Sequence, residues 1–164
     1  MHYVLYRESI SLYIFMGLGE WGKRGRGREE MEEQVEGLGR AFVDHYYYLF
    51  DNDRSSLPSL YHSTSMLTFE GHKVQGVDEI SQKLNLLPFD QCQHVISTID
   101  SQPSSFTGGI MVFVSGSLKL PGEEHQLRFS QVLIILGTAE RKIHQKLISP
   151  FLRLQQIYWY GTRT

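Results

Sequence analysis

The spacing of apolar residues changes once along this chain, and that change limits the folds it can adopt. From Glu32 to Phe50 the residues Val35, Leu38, Phe42, Tyr46 and Leu49 recur at steps of three and four, which puts their side chains on one face of an α-helix. From Gln93 to Leu136 the pattern turns to alternation and short apolar runs, the spacing of strands. Helices followed by a run of strands predict an α+β domain, its helices packed on one face of a bent antiparallel sheet.

Between these stretches the turn-forming residues set the boundaries. Asp51-Asn52-Asp53 ends the first helix. A short second helix follows to about His62, with Ser55 or Ser56 as N-cap and Pro58 early in its first turn. Ser65 to Phe69 reads as a strand, Glu70-Gly71-His72 as a turn and Lys73 to Gln75 as the returning arm. Gly76 breaks that arm. Val77, Ile80, Leu84 and Leu87 form the stripe of a third helix that Pro88 stops.

Three longer strands are predicted at Gln93–Ser101, Gly108–Leu120 and Gln126–Leu136. In the first, Val95, Ser97 and Ile99 are expected on one face and His94, Ile96 and Thr98 on the other. The second is apolar on both faces through Val114, so it belongs inside the sheet. Gly109 and Gly116 mark places for a bulge or strong bend. Pro121-Gly122 turns the chain back.

The two ends differ from this middle. Residues 1–30 finish in a glycine- and charge-rich stretch, Lys23 to Glu30, of linker composition. They are expected to be a flexible or poorly ordered extension before a domain over 31–136. Residues 137–164 are a divergent C-terminal segment that can supply an atypical final strand. Pro150 would interrupt a central strand, while Phe151 to Tyr160 is apolar and aromatic enough to be buried. The apolar run Ile10–Leu18 is too short for a bilayer, which takes about 20 residues. Its basic residues come after it rather than before, so neither a signal peptide nor a membrane span is expected.

Charge and cysteine usage narrow the function. The formal net charge is −2, so no global basic field points to nucleic acid. The one cysteine, Cys92, cannot form an internal disulfide and fits a reducing compartment. As a nucleophile it would need a base, and His94 is two residues away; a half-buried strand cysteine is the plainer reading. The seven histidines show no metal-ligand spacing supported by cysteine or carboxylates, so no metal and no other cofactor is expected.

The segments AFVDHYYYLFDNDRSSLPSLY at 41–61, SMLTFEGHKVQGVDEISQKLNLLPF at 65–89, QHVISTIDSQPS at 93–104 and VFVSGSLKLPGEEHQLRFSQ at 112–131 resemble, in order, the helices, hairpin and strands of the nuclear transport factor 2 family, its plant members above all. The resemblance implies the family's cone fold and a homodimer that carries the GDP form of Ran. It also implies binding to phenylalanine-glycine repeats of nuclear pore proteins, and residence in cytoplasm, nucleus and nuclear envelope. In the family an aromatic side chain of Ran enters an apolar cavity, and acidic residues at its rim pair with basic residues of Ran. By motif match the Ran-binding residues are Phe69, Glu70, Glu123 and Glu124.

The residues themselves allow those roles. Glu70 ends a strand beside Gly71, and Glu123 and Glu124 lie on a hairpin turn, where carboxylates project into solvent. His94 is expected to support the cavity by holding the Glu70 carboxylate, or else to be a satisfied core histidine. Of Tyr46, Tyr47 and Tyr48, at least one must face away from the core. Two other functions fit the same fold: a partner subunit in messenger RNA export, and an isomerase or dehydratase built on Asp100 and His94. The carrier, with no catalytic residues, is the leading expectation.

Overall fold

A computed structural model describes residues 25–89, 91–104, 109–136 and 153–160, with side chains outside 25–28 and 153–160. Helix α1 runs from Gly25 to Asn52. It begins seven residues before Glu32, where the sequence pattern placed its start, because Arg28 to Gln34 is a run of strong helix formers. Phe42, Val43, Tyr46, Tyr47, Leu49 and Phe50 are buried. Tyr48 is the exposed member of the tyrosine run, 63% accessible. Gly39 lets α1 lie close on the sheet: a Cβ there would sit 2.0 Å from the Ser101 Oγ.

The second helix is a 3-10 helix, Arg54–Leu60. Its start is organised by Asp53 rather than by a serine cap. The Asp53 carbonyl accepts the Ser56 N–H at 3.0 Å, and its carboxylate accepts the Ser55 and Ser56 hydroxyls at 2.6 and 2.5 Å. Those two hydroxyls hold the Asp53 carboxyl below the usual range. Strands β1 (Met66–Phe69) and β2 (His72–Gln75) form a hairpin whose loop is only Glu70-Gly71. Both loop residues have positive φ, 47° and 83°, as a type I′ turn requires. Helix α2 spans Val77–Asn85 and buries Ile80 and Leu84.

Strands β3 (Gln93–Ser104), β4 (Gly109–Lys119) and β5 (Leu127–Leu136) form an antiparallel meander. The strict alternation expected along β3 fails. The register shifts between Ile96 and Thr98, opposite Gly116, where a Cβ would come within 2.3 Å of the Val95 carbonyl oxygen. This bulge reverses the facing, so Ile99 and Ser101 join His94 and Ile96 on the helix side.

Strand β6, Arg153–Tyr160, pairs antiparallel with β5 and parallel with β1. It joins the hairpin to the meander in one sheet of order β2-β1-β6-β5-β4-β3. The architecture is the expected α+β one, with a single parallel pair. The expectation for Pro150 lies outside the described residues.

The core lies between the helices and one sheet face, lined by Leu67, Phe69, Val112, Val114, Phe129 and Leu133 among others. Gln131 is fully buried there, its side-chain oxygen accepting the Tyr47 hydroxyl. The opposite face carries half-exposed Met111, Phe113, Val132 and Ile134, with Phe113 opposite Val132 and Met111 opposite Ile134. No described helix is long and apolar enough to cross a membrane.

Candidate functional site

The register brings the sequence-predicted residues to one end of the sheet. Phe69 pairs with Tyr158, Tyr158 with Gln131, and Gln131 with Val114, so Phe69 closes a row across four strands. Glu70 follows it at the hairpin tip. His94 pairs with Leu118, and Leu118 with Leu127, so the start of β3 and the β4–β5 turn lie at that same end. The turns bearing Glu70 and the Glu123–Glu124 pair are thus three strand spacings apart, roughly 14 Å across the sheet, and the second also lies farther along the strands, since Phe69 is in row with Gln131 and the turn begins beyond Leu127.

The three carboxylates are exposed. Glu70 sits in the left-handed region, where a residue with a Cβ costs about 1–2 kcal/mol. In the other turn Glu123 donates its N–H to the Leu120 carbonyl at 3.2 Å. With Pro121 second and Gly122 third at φ 76°, this has the residue pattern of a type II turn. Phe69 differs from the picture of an open aromatic mouth. It is only 5% accessible, and the Lys83 Nζ lies 5.3 Å from its ring centroid.

His94 does not reach toward Glu70. Its Nδ1 lies 2.5 Å from an Asp51 carboxylate oxygen, and its backbone N–H donates to the other oxygen at 2.8 Å. The reason is topological. β3 is the edge strand farthest from the β1–β2 hairpin, while the end of α1 passes over it. The ring is fully buried among Tyr47, Phe50 and Phe129, at centroid distances of 4.6, 4.9 and 5.1 Å. Burial pushes the His94 pKa down, the hydrogen bond and charge of Asp51 partly offset this, and Arg54 adds to the lowering. The ring is therefore neutral and donates from Nδ1 to Asp51.

Cys92 joins the same cluster. Its thiol donates to Asp51 at 3.5 Å, and an Arg54 guanidinium nitrogen lies 3.5 Å from the sulfur. Burial first, and then the Asp51 charge, push the thiol pKa up to about 12, so it carries no thiolate at neutral pH. Arg54 also donates to the carbonyls of Phe50, Leu84 and Phe89 and stacks on Phe50 at 4.6 Å. A cleft of about 340 Å³ opens beside the cluster, walled by Asp51, Cys92, Lys119, Leu120 and Pro121 among others.

The sequence reading gave Asp51 and Arg54 no part in a site, taking 51–53 as the end of the first helix. The available signal was spacing: Asp51 falls four residues after the buried Tyr47, on the inward stripe. It also missed a cluster in which ligand-type atoms of Asp51, Cys92 and His94 lie within 4.8 Å of one another. Asp100, the other residue weighed for catalysis, is exposed opposite Phe113. It therefore stands on the sheet face away from His94.

Residues 38–144 match the sequence profile of the Nuclear transport factor 2 domain. The chain belongs to the nuclear transport factor 2 family. It is 54% identical over 103 residues to Nuclear transport factor 2B of Arabidopsis thaliana, covering 63% of this chain and 82% of that one. Nuclear transport factor 2 of Oryza sativa is 52% identical over 102 residues, covering 62% and 84%. Among solved structures, nuclear transport factor 2 from Cryptosporidium parvum superposes with a TM-score of 0.66 at 31% identity, covering 78% of this chain and 95% of that one. These family relatives are named as transport factors, not as enzymes.

Proposed function

We propose that this protein carries the GDP form of Ran into the nucleus, working as a homodimer that passes the pore on phenylalanine-glycine repeats of nucleoporins. The observation that carries the reading is that Glu70, Glu123 and Glu124 all stand exposed on turns toward one end of the sheet, whose helix-facing side is an aromatic-lined core. Exposed carboxylates around an opening steer a basic partner and fix its register. A partner's aromatic side chain entering beneath them would supply most of the affinity. The strained φ of Glu70 supports a binding role, because a turn selected for stability alone would favour Asn or Gly there.

Lys83 refines the picture of the mouth. Its ammonium over Phe69 covers the aromatic that the family resemblance places in the site, so an entering aromatic group must displace it. The apolar strip Met111, Phe113, Val132 and Ile134 on the other sheet face is the surface for a second copy. The carrier works between cytoplasm and nucleus, at the nuclear envelope.

The test is a pull-down against Ran loaded with GDP or GTP, beside a Glu70→Lys variant. The wild type retains the GDP form only, and charge reversal abolishes retention. Retention of neither form, or co-purification with a larger export receptor instead, contradicts the carrier reading. Unchanged retention by Glu70→Lys removes Glu70 from the site.

A further inference from the structure

We propose that Asp51, Cys92 and His94 form a binding site for a thiophilic divalent cation of the zinc class, entered through the cleft beside the β4–β5 turn. A carboxylate oxygen, a sulfur and a ring nitrogen lie within 4.8 Å of one another. Zinc accepts each of these donors, and three protein ligands leave its fourth position for water. The cleft supplies that position, since Asp51 and Cys92 both form its wall. His94 closes the site from within, its ring fixed by Tyr47, Phe50 and Phe129.

The distances fit a tetrahedral ion with small adjustments. Bond lengths of about 2.3 Å to sulfur and about 2.0 Å to oxygen put the two donors roughly 3.5 Å apart, and Cys92 Sγ is 3.5 Å from the Asp51 oxygen. The 2.5 Å contact between Asp51 and His94 must open to roughly 3.3 Å. On binding, the Cys92 S–H bond breaks, a sulfur–metal bond forms and one proton leaves to solvent. The neutral His94 ring moves its proton from Nδ1 to Nε2, freeing Nδ1 to ligate. Thiolate and carboxylate then neutralise the two positive charges. Arg54 opposes the ion, and on binding it releases the sulfur while its three carbonyl acceptors and its stacking on Phe50 hold it in place. The soft sulfur selects against magnesium and calcium.

Cobalt(II) titration of the reduced, full-length protein tests the site, because the only cysteine makes a thiolate-to-cobalt charge-transfer band assignable to Cys92. The band is expected to grow to one equivalent, with the visible spectrum of a tetrahedral ion, and to vanish on adding zinc. Cys92→Ser, which keeps a hydroxyl for Asp51, loses the band while retaining the metal-free unfolding midpoint. Zinc should raise Tm in the wild type and not in Cys92→Ser. No thiolate band in the wild type, or an equal rise in Tm for both proteins, overturns the proposal.

Discussion

Asp51 binds both the ring and the backbone of His94, at 2.5 and 2.8 Å, and so ties the end of α1 to the first turn of the sheet's longest strand. One carboxylate satisfies two donors of a single residue 43 positions away. Removing it leaves both unmatched in an aromatic surround. Asp51→Ala should therefore lose about 3 kcal/mol or more of unfolding free energy. Urea titration with an unchanged m-value would show this, and a loss under about 1 kcal/mol would mean that water replaces the carboxylate freely.

The same pair sets a pH dependence. The folded-state pKa of His94 lies below its ordinary value, with burial the main cause. The unfolded chain takes up that proton first, at about pH 6.5. This contribution to stability is complete above that pH and declines as pH falls through and below it. The urea midpoint should drop from pH 8 to pH 5.5, and His94→Gln should flatten the profile. A wild-type midpoint that rises over this range would reverse the assignment.

Glu70 separates stability from binding. Asn tolerates positive φ better than Glu, so Glu70→Asn should keep or raise stability by up to about 1 kcal/mol. Under the proposed function it should nevertheless weaken Ran-GDP capture, since it removes one of the three carboxylates assigned to the proposed site. Thermal unfolding and pull-down of the same preparation check both halves. A clear fall in Tm would show that the turn does not strain Glu70.

Phe113 tests the proposed self-association. It is half-exposed on the face away from the helices, opposite Val132. Phe113→Asp should convert a dimer to a monomer in light scattering, with the helical circular dichroism signal retained. A wild type that is monomeric at tens of micromolar would deny this face its partner.

What the sequence revealed depended on the distance over which each feature is encoded. The stripe from Val35 to Leu49 is local, so α1 was legible except for its charged N-terminal turns. Alternation was read correctly at His94 and Ile96 and wrongly at Ile99. The β3 bulge is marked only by Gly116 on the neighbouring strand. The place of β6 between β1 and β5 rests on pairings with residues far away in the chain, which no local pattern carries. That Glu70, Glu123 and Glu124 stand exposed on turns was legible because turn chemistry is local. The link from Asp51 to Cys92 and His94 was not, because it exists only once α1 has docked on β3.

Calorimetric titration with Ran tests the central claim most directly. Ran-GDP should bind with a heat signal that weakens as salt rises, as expected for carboxylates steering a basic partner, and Ran-GTP should give none. Equal affinity for both nucleotide states, or no heat with either, would contradict the carrier reading.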